Sequence, residues 1–168
     1  GEFVEAARQI KSEFSDVHFQ LLGFLNVINR SAISRQQMQI WIEQAVIEYL
    51  GETNDVREHI ASSSCVVLPS YREGLPRTLL EAAAMGRPII ATDVTGCREV
   101  AEHGVNGYLC KARDANDLAQ KMRDMIMLSI DERRDMGLRS RRKMEEDFDE
   151  KMVVEKIINR IECVLNTV

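Results

Sequence analysis

Residues 70–86 are the stretch of the chain whose sequence most clearly predicts its local structure. It follows a short apolar run at residues 65–69, turns at Gly74 and Pro76, and becomes an apolar helix that stops at Gly86. Proline is favoured in the first turn of a helix, and a glycine just past the last turn supplies a left-handed cap. The stretch therefore predicts a strand, a loop and a helix, with the start of the helix above the end of the strand.

The start of this helix is a candidate binding site for an anion. The first backbone N–H groups of a helix have no partners within it and lie at the positive end of its dipole, which favours phosphate. Pro76 opens the helix, and the Arg77 side chain either adds a positive charge or points to solvent. The amides expected to donate are those of the turn and the first helical turn: Gly74, Leu75, Arg77 and Thr78.

Two carboxylates lie on either side of the helix start. Glu73 is in the turn, and Glu81 is inside the helix between apolar residues, with seven residues between the two. A helix this apolar is expected to be largely buried, and a buried carboxylate is costly without hydrogen-bond donors. A vicinal diol such as a ribose offers two O–H donors to one carboxylate. The alternative is that Glu81 caps a neighbouring backbone segment or pairs with an arginine.

The pair of glutamates and its surroundings resemble the carboxylate-pair signature of retaining family-4 glycosyltransferases. The similarity extends from about residue 2 to residue 116, and both glutamates, the turn, the helix stop and the next strand fall in register. The chain is further similar to bacterial N-acetylgalactosaminyltransferases that act on undecaprenyl-diphosphate-linked sugars. The resemblance implies the GT-B fold, in which two Rossmann-like domains hold a sugar nucleotide mainly through the C-terminal one.

The resemblance also implies a reaction and a role for each site residue. A hexosamine or hexose would move from a nucleotide sugar, expected to be a UDP sugar, to a lipid-linked or glycan acceptor in bacterial surface polysaccharide or glycan synthesis. Glu81 would accept hydrogen bonds from the ribose hydroxyls, and Glu73, the candidate catalytic residue, would accept them from the sugar. The donor-binding set is completed by the residues at the helix start: Gly74, Leu75, Pro76, Arg77 and Thr78.

The chemistry expected at this site needs neither a metal nor a cofactor. No pair of acidic residues of the metal-binding kind stands in a strand-end loop, and the positive end of the helix can take the role of a metal at the diphosphate. We interpret Glu73 as a positioning group rather than a glycosidase-like nucleophile. A glycosidase-like mechanism needs a second carboxyl group as the acid, close to the anomeric carbon. Glu81 would bind the ribose, and a carboxylate there lies too far from the anomeric carbon to be that acid.

Two other functions stay open at this point. A sugar-nucleotide epimerase shares the architecture, but it would need a histidine beside the sugar, and none lies beside the motif. The other is a module that only binds nucleotide sugars. The chain begins on a predicted helix at residues 2–14, without the strand and the basic loop that relatives have before it. We therefore expect a fragment of a longer transferase, which by itself binds donor weakly and transfers nothing.

Apolar stretches with strand and helix spacing alternate along the chain, which predicts an α/β fold: a Rossmann-like three-layer sandwich with a mostly parallel sheet. One domain over residues 1–168 is expected, with a terminal helix at about residues 148–166 packing back across it. In the strand order 3-2-1-4-5-6 the absent first strand is central. Three outcomes are open for that gap: the flanking strands pair directly, a neighbouring chain fills it, or it weakens the fold.

The loops around the motif give further expectations. Residues 25–33 are predicted to be a loop, in which residues 29–31 look like an insertion on the acceptor or nucleotide side. A short helix is predicted at residues 99–103, and the resemblance implies that the loop before it approaches the donor. Arg98 in that loop either supplies a positive charge or pairs with Glu102.

The overall charge and the cysteines limit the partners and the compartment. A net charge of −5 gives no electrostatic basis for binding nucleic acid. The cysteines show no CxxC spacing, which indicates reduced thiols in a cytoplasmic protein: Cys65, Cys97, Cys110 and Cys163. No apolar run is long enough to span a bilayer, so contact with the inner face of the membrane would be peripheral.

Overall fold

A computed structural model of the chain describes residues 1–25 and 32–165. The insertion predicted at residues 29–31 lies outside the described residues. Strands and helices alternate over most of the described chain, as predicted. The strands are β1 (Gln20–Leu21), β2 (Glu48–Tyr49), β3 (Val66–Leu68), β4 (Ile89–Thr92) and β5 (Gly107–Cys110). The helices are α1 (Glu2–Glu13), α2 (Arg35–Glu43), α3 (Arg57–Ser62), α4 (Arg77–Ala84), α5 (Thr95–Val100), α6 (Ala115–Met127), α7 (Ile130–Asp147) and α8 (Glu150–Leu165).

All the strand pairs among these residues are parallel. β4 lies between β3 and β5, with Ile89 opposite both Val66 and Gly107. Every residue of β4 is buried, which is typical of the central strand of a parallel sheet covered on both faces. The carboxyl ends of β3, β4 and β5 therefore meet at one edge of the sheet.

Helices cover both faces of the sheet. Ile90 of β4 belongs to the apolar core that includes buried residues of α1 and α6. Its neighbours Ile89 and Ala91 belong to a second core that includes residues of α4, α5 and α7. Because successive side chains of a strand point to opposite faces, this division places one helical layer on each side. The predicted three-layer α/β sandwich is confirmed.

The sheet is interrupted at the predicted gap. Within the described residues, β1 pairs with β2 and β3 pairs with β4, but β1 and β3 do not pair with each other. Of the three outcomes considered for the gap, direct pairing of the flanking strands is therefore wrong for this chain. The same apolar core nevertheless contains Phe19, Ile47 and Ile90, so both parts of the sheet rest on one set of buried side chains.

The short helix after β4 begins earlier than predicted. It is α5, over Thr95–Val100, rather than a helix at residues 99–103. Residues after the end of α5 contact β5 instead. The backbone of His103 forms a bridge with Gly107, and the Nδ1 of the His103 ring accepts a hydrogen bond of 3.0 Å from the Leu109 amide. The chain reverses at Gly104, whose φ of 78° favours glycine.

The terminal helix α8 is exposed along its apolar side. Six of its large apolar side chains are 46–68% exposed: Val154, Ile157, Ile158, Ile161, Val164 and Leu165. The expected packing of this helix back across the chain and the assignment of one domain to residues 1–168 both stay predictions. Every helix in the described ranges is too short or too polar to cross a membrane.

We predict that Cys97 and Cys110 resist alkylation in the native chain at pH 8. Burial raises the pKa of each thiol to about 11, and the thiolate is the reactive form. Mass spectrometry after iodoacetamide treatment should find both cysteines unmodified in the folded chain and modified in denaturant. Modification of native Cys97 as fast as in denaturant would contradict the burial of α5 described above.

Candidate functional site

The predicted strand, loop and helix are present. β3 ends at Leu68, and α4 begins after Pro76, whose extended backbone (φ −74°, ψ 112°) turns the chain into the helix. At the other end, the Gly86 amide donates to the Ala83 carbonyl at 2.9 Å, and Gly86 has the left-handed φ of 67° predicted for a helix cap. The motif is thus positioned by β3 at one end and by a glycine stop at the other.

The start of α4 is open, as an anion site requires. Pro76 provides no side-chain cap, and its carbonyl accepts from the amides of Leu79 and Leu80 at 3.0 and 3.2 Å. Among the described residues, nothing accepts a hydrogen bond from the amides of Arg77 and Thr78. The Arg77 side chain is 90% exposed, so it extends into solvent rather than covering them.

Glu81 is not buried, and the expectation that it would be is wrong. Its side chain is 41% exposed. The buried face of α4 is formed by Leu79, Ala82 and Ala83, and Glu81 lies beside that face. Its Oε1 lies 4.0 Å from Arg77 Nη2, which is the outer limit of an ion pair. The arginine partner considered as the alternative is therefore present but weak, and the carboxylate stays accessible about one turn, roughly 6 Å, along the helix from its start.

Glu73 is half-buried in the turn before α4. Within the described residues, its carboxylate makes no hydrogen bond and no ion pair. It lies close to α5, since its negative charge adds to burial in raising the pKa of the Cys97 thiol. Glu73 and Glu81 thus flank the helix start with neither carboxylate taken up by a strong partner.

The turn that carries Glu73 rests against α5 through a residue that the sequence analysis did not single out. Gly96 is buried, and a Cβ placed on it would lie 2.1 Å from the Gly74 carbonyl oxygen and 2.5 Å from that of Glu73. The only signal in the sequence was a glycine in the loop after a predicted strand. Arg98, in the same helix, pairs with Asp93 at 2.5 Å and not with Glu102.

Tyr71 ties the same turn to two other segments. Its hydroxyl donates to Glu2 Oε1 at 2.6 Å, at the start of α1. The Arg113 guanidinium, after β5, lies 4.9 Å from the centre of the Tyr71 ring. The turn therefore has contacts with α1, with α5 and with the segment that follows β5.

The site is a ledge on the surface rather than an enclosed cavity. Two open hollows on the described part of the chain, of about 360 and 320 Å³, lie elsewhere, and no residue from 73 to 81 lines either. Gly74, Leu75 and Thr78 are exposed on the ledge, whereas Pro76 is buried beneath it. Across the described residues, no three His, Cys, Asp or Glu side chains are arranged to hold a metal ion. The expectation that no metal or cofactor is needed stays a prediction.

Comparison with known proteins adds an independent observation. Residues 2–127 match the family model described as glycosyl transferases group 1. The chain is 29% identical over 168 residues to the N,N'-diacetylbacillosaminyl-diphospho-undecaprenol alpha-1,3-N-acetylgalactosaminyltransferase of Campylobacter jejuni, covering 99% of this chain and 42% of that protein. It is 38% identical over 125 residues to the N-acetyl-alpha-D-glucosaminyl L-malate synthase of Bacillus anthracis, covering 73% of this chain and 31% of that protein.

A solved structure has the same fold. The Anabaena protein Alr3699/HepE, in complex with UDP, superimposes with a TM-score of 0.83 at 21% identity, over 96% of this chain and 44% of that one. The chain spans about two fifths of the length of the first curated relatives it matches.

We predict that Tyr71→Phe raises the pKa of the Glu2 carboxyl. The hydrogen bond from the Tyr71 hydroxyl is the largest cause that holds this pKa below its ordinary value. Because the pKa is lowered in the folded chain, the contact contributes stability at neutral pH and loses it as the pH falls through that pKa. NMR titration of the side-chain carboxyl measures the change.

The matched comparison for this test is Arg113→Ala, which should raise the same pKa by less, since that guanidinium has the smaller effect on it. An unchanged Glu2 pKa in Tyr71→Phe would show that the two side chains do not meet in solution.

Proposed function

Because this chain belongs to the family of glycosyl transferases group 1, we propose that it is the part of a retaining glycosyltransferase that holds the nucleotide-sugar donor. Its fold is the one predicted, that of the C-terminal half of a GT-B glycosyltransferase. The observation that carries the proposal is the open start of α4 between two accessible carboxylates. Family membership and fold do not by themselves assign these residues, so their roles are part of the proposal.

In the proposed complex, the diphosphate of the donor lies at the start of α4. The free amides of Arg77 and Thr78 donate to its oxygens, and the amides of the exposed residues Gly74 and Leu75 extend the same cradle. The positive end of the helix dipole adds to these hydrogen bonds. This arrangement needs no metal ion to balance the charge of the diphosphate.

The two carboxylates would bind the hydroxyl groups on either side of the diphosphate. Glu81 lies about one turn along α4, where its half-exposed carboxylate can accept both ribose hydroxyls. Glu73 lies before the helix and would accept from hydroxyls of the transferred sugar. Hydrogen bonds to an ionised acceptor are stronger than neutral ones, so these contacts fix the orientation of the donor as well as its affinity.

The reaction proposed for the full-length enzyme begins with departure of the diphosphate. The bond between the anomeric carbon and the phosphate oxygen breaks, with its electron pair going to the phosphate, and leaves an oxocarbenium-like sugar. The start of α4 stabilises the negative charge that develops on the leaving group. The acceptor hydroxyl then attacks on the same face and gives its proton to a phosphate oxygen, which retains the configuration. Glu73 holds the sugar during these steps and is not the nucleophile.

The relatives support a UDP-linked N-acetylhexosamine as donor. HepE was solved in complex with UDP, and the names of both curated relatives include an N-acetylated hexosamine. The name of the Campylobacter relative supports a polyprenyl-diphosphate-linked acceptor, which would be bound by parts of the full-length protein beyond these residues. An enzyme that uses such an acceptor would act at the cytoplasmic face of a membrane, which it would contact peripherally. Because the site is a one-sided ledge, we expect the 168 residues alone to bind donor weakly and to transfer nothing.

We predict that Glu81→Gln and Glu73→Gln weaken different parts of donor binding. Glu81→Gln should weaken UDP and UDP-N-acetylglucosamine alike, since the ribose is common to both. Glu73→Gln should weaken only the sugar-bearing ligand. Each loss should be about tenfold, as expected when one hydrogen bond to a charged group is lost. Isothermal titration calorimetry with the two ligands measures the four affinities.

Glu146→Gln is the control for this experiment, because Glu146 is an exposed glutamate on α7. It should leave both affinities unchanged. Wild-type affinities in both Glu73→Gln and Glu81→Gln would contradict the proposed site. A wild-type chain that binds GDP or ADP sugars and not UDP sugars would retain the site but overturn the proposed nucleotide.

A further inference from the structure

We propose that Gly96 is a positioning residue for Glu73. The absence of a side chain at position 96 lets the first turn of α5 lie directly against the backbone of Glu73 and Gly74 and so fixes the turn that carries the Glu73 carboxylate. This inference rests on the proposed function, because it concerns how Glu73 meets the sugar of the donor.

The contact leaves no space for any side chain. A Cβ on Gly96 would lie 2.1 Å from the Gly74 carbonyl oxygen, 2.5 Å from the Glu73 carbonyl oxygen and 2.6 Å from the Gly74 carbonyl carbon. All three atoms belong to the backbone, so no change of rotamer relieves the clash. An added methyl group must therefore move either α5 or the turn.

The need for glycine here comes from this contact and not from backbone conformation. Gly96 does not have the positive φ that makes Gly86 and Gly104 hard to replace. The turn itself is not crowded at its own glycine, since a Cβ on Gly74 would meet no atom within 4 Å. Of these two glycines, Gly96 in α5 is therefore the one whose position leaves no space for a side chain.

α5 is a rigid support, so an added methyl group displaces the turn. Cys97 and Val100 are 0% exposed and are part of the core that also contains Leu79 of α4. The helix follows β4, which is buried along its whole length, and the amide of Cys97 donates to the Val94 carbonyl at 3.0 Å. The turn, in contrast, has exposed residues at Gly74 and Leu75.

A displacement of this kind has a specific consequence for donor binding. It moves Glu73 and, with it, the outer cradle amides of Gly74 and Leu75, whereas Glu81 and the amides of Arg77 and Thr78 belong to α4, which is held by its own buried face. The affinity for a sugar-bearing donor should therefore fall much more than the affinity for UDP. A general loss of folding would lower both affinities together, so the ratio of the two reports on position.

The test is Gly96→Ala in the chain, with calorimetry on UDP and UDP-N-acetylglucosamine. We expect the affinity for UDP-N-acetylglucosamine to fall about tenfold and the affinity for UDP to change by less than about threefold. The matched control is Gly137→Ala, because a Cβ there would lie 2.0 Å from the Gly86 carbonyl oxygen, at the opposite end of α4 from Glu73. It introduces an equally severe clash and should leave the ratio of affinities unchanged.

Cys97→Ala provides a second variant should Gly96→Ala fail to fold. It removes buried volume beside Glu73 without adding an atom, and it should lower the same ratio about threefold. If wild type binds both ligands and neither variant changes the ratio, the inference about Gly96 is wrong and the proposed function stands. If wild type binds neither ligand, the proposed function is wrong and Gly96 has no donor to position. In that case, faster hydrogen exchange at the Glu73 and Gly74 amides of Gly96→Ala than of wild type would still show that the contact with Gly96 holds the turn.

Discussion

The burial of β4 between two parallel neighbours is the constraint on which the site depends. Ile90 belongs to one apolar core and Ile89 and Ala91 to the other, so the strand cannot shift without exposing apolar side chains to water. Parallel pairing with β3 and β5 then brings the loops that follow β3 and β4 to one edge. In open parallel sheets, ligands bind at that edge. The turn with Glu73 and the start of α5 meet there because of how the sheet is paired.

The chemistry of the site follows from what the chain leaves unsatisfied at this edge. A side-chain cap at the start of α4 would have occupied the amides of Arg77 and Thr78, but Pro76 offers none. Both flanking carboxylates stay accessible, Glu81 with one weak partner and Glu73 with none among the described residues. Tyr71 ties the turn to Glu2, and Gly96 of α5 packs against the backbone of the turn, so the polar groups are ordered before any ligand binds. Such preorganisation is what binding and transition-state stabilisation both need.

Sequence signals predicted the parts of this site that local chemistry determines. Pro76 and Gly86 are sufficient to set the start and the end of α4, because proline and glycine act through their own backbone. The expected burial of Glu81 was wrong because apolar neighbours in sequence occupy one face of a helix and leave the residue between them at its side. The start of α5 was misplaced because the residues beyond it are drawn into the edge of β5, a contact between distant positions. Gly96 gave no interpretable signal, since its role lies in what packs against it.

We propose that the start of α4 receives the diphosphate of a sugar nucleotide. Titration of UDP into the ¹⁵N-labelled chain, followed by amide chemical shifts, tests it without any substitution. We predict that the amides of Arg77 and Thr78 shift most and saturate together, with smaller shifts at Gly74 and Leu75. Saturable shifts centred elsewhere, for example on Lys111 and Lys121 beside the smaller hollow, with Arg77 and Thr78 unmoved, would contradict it.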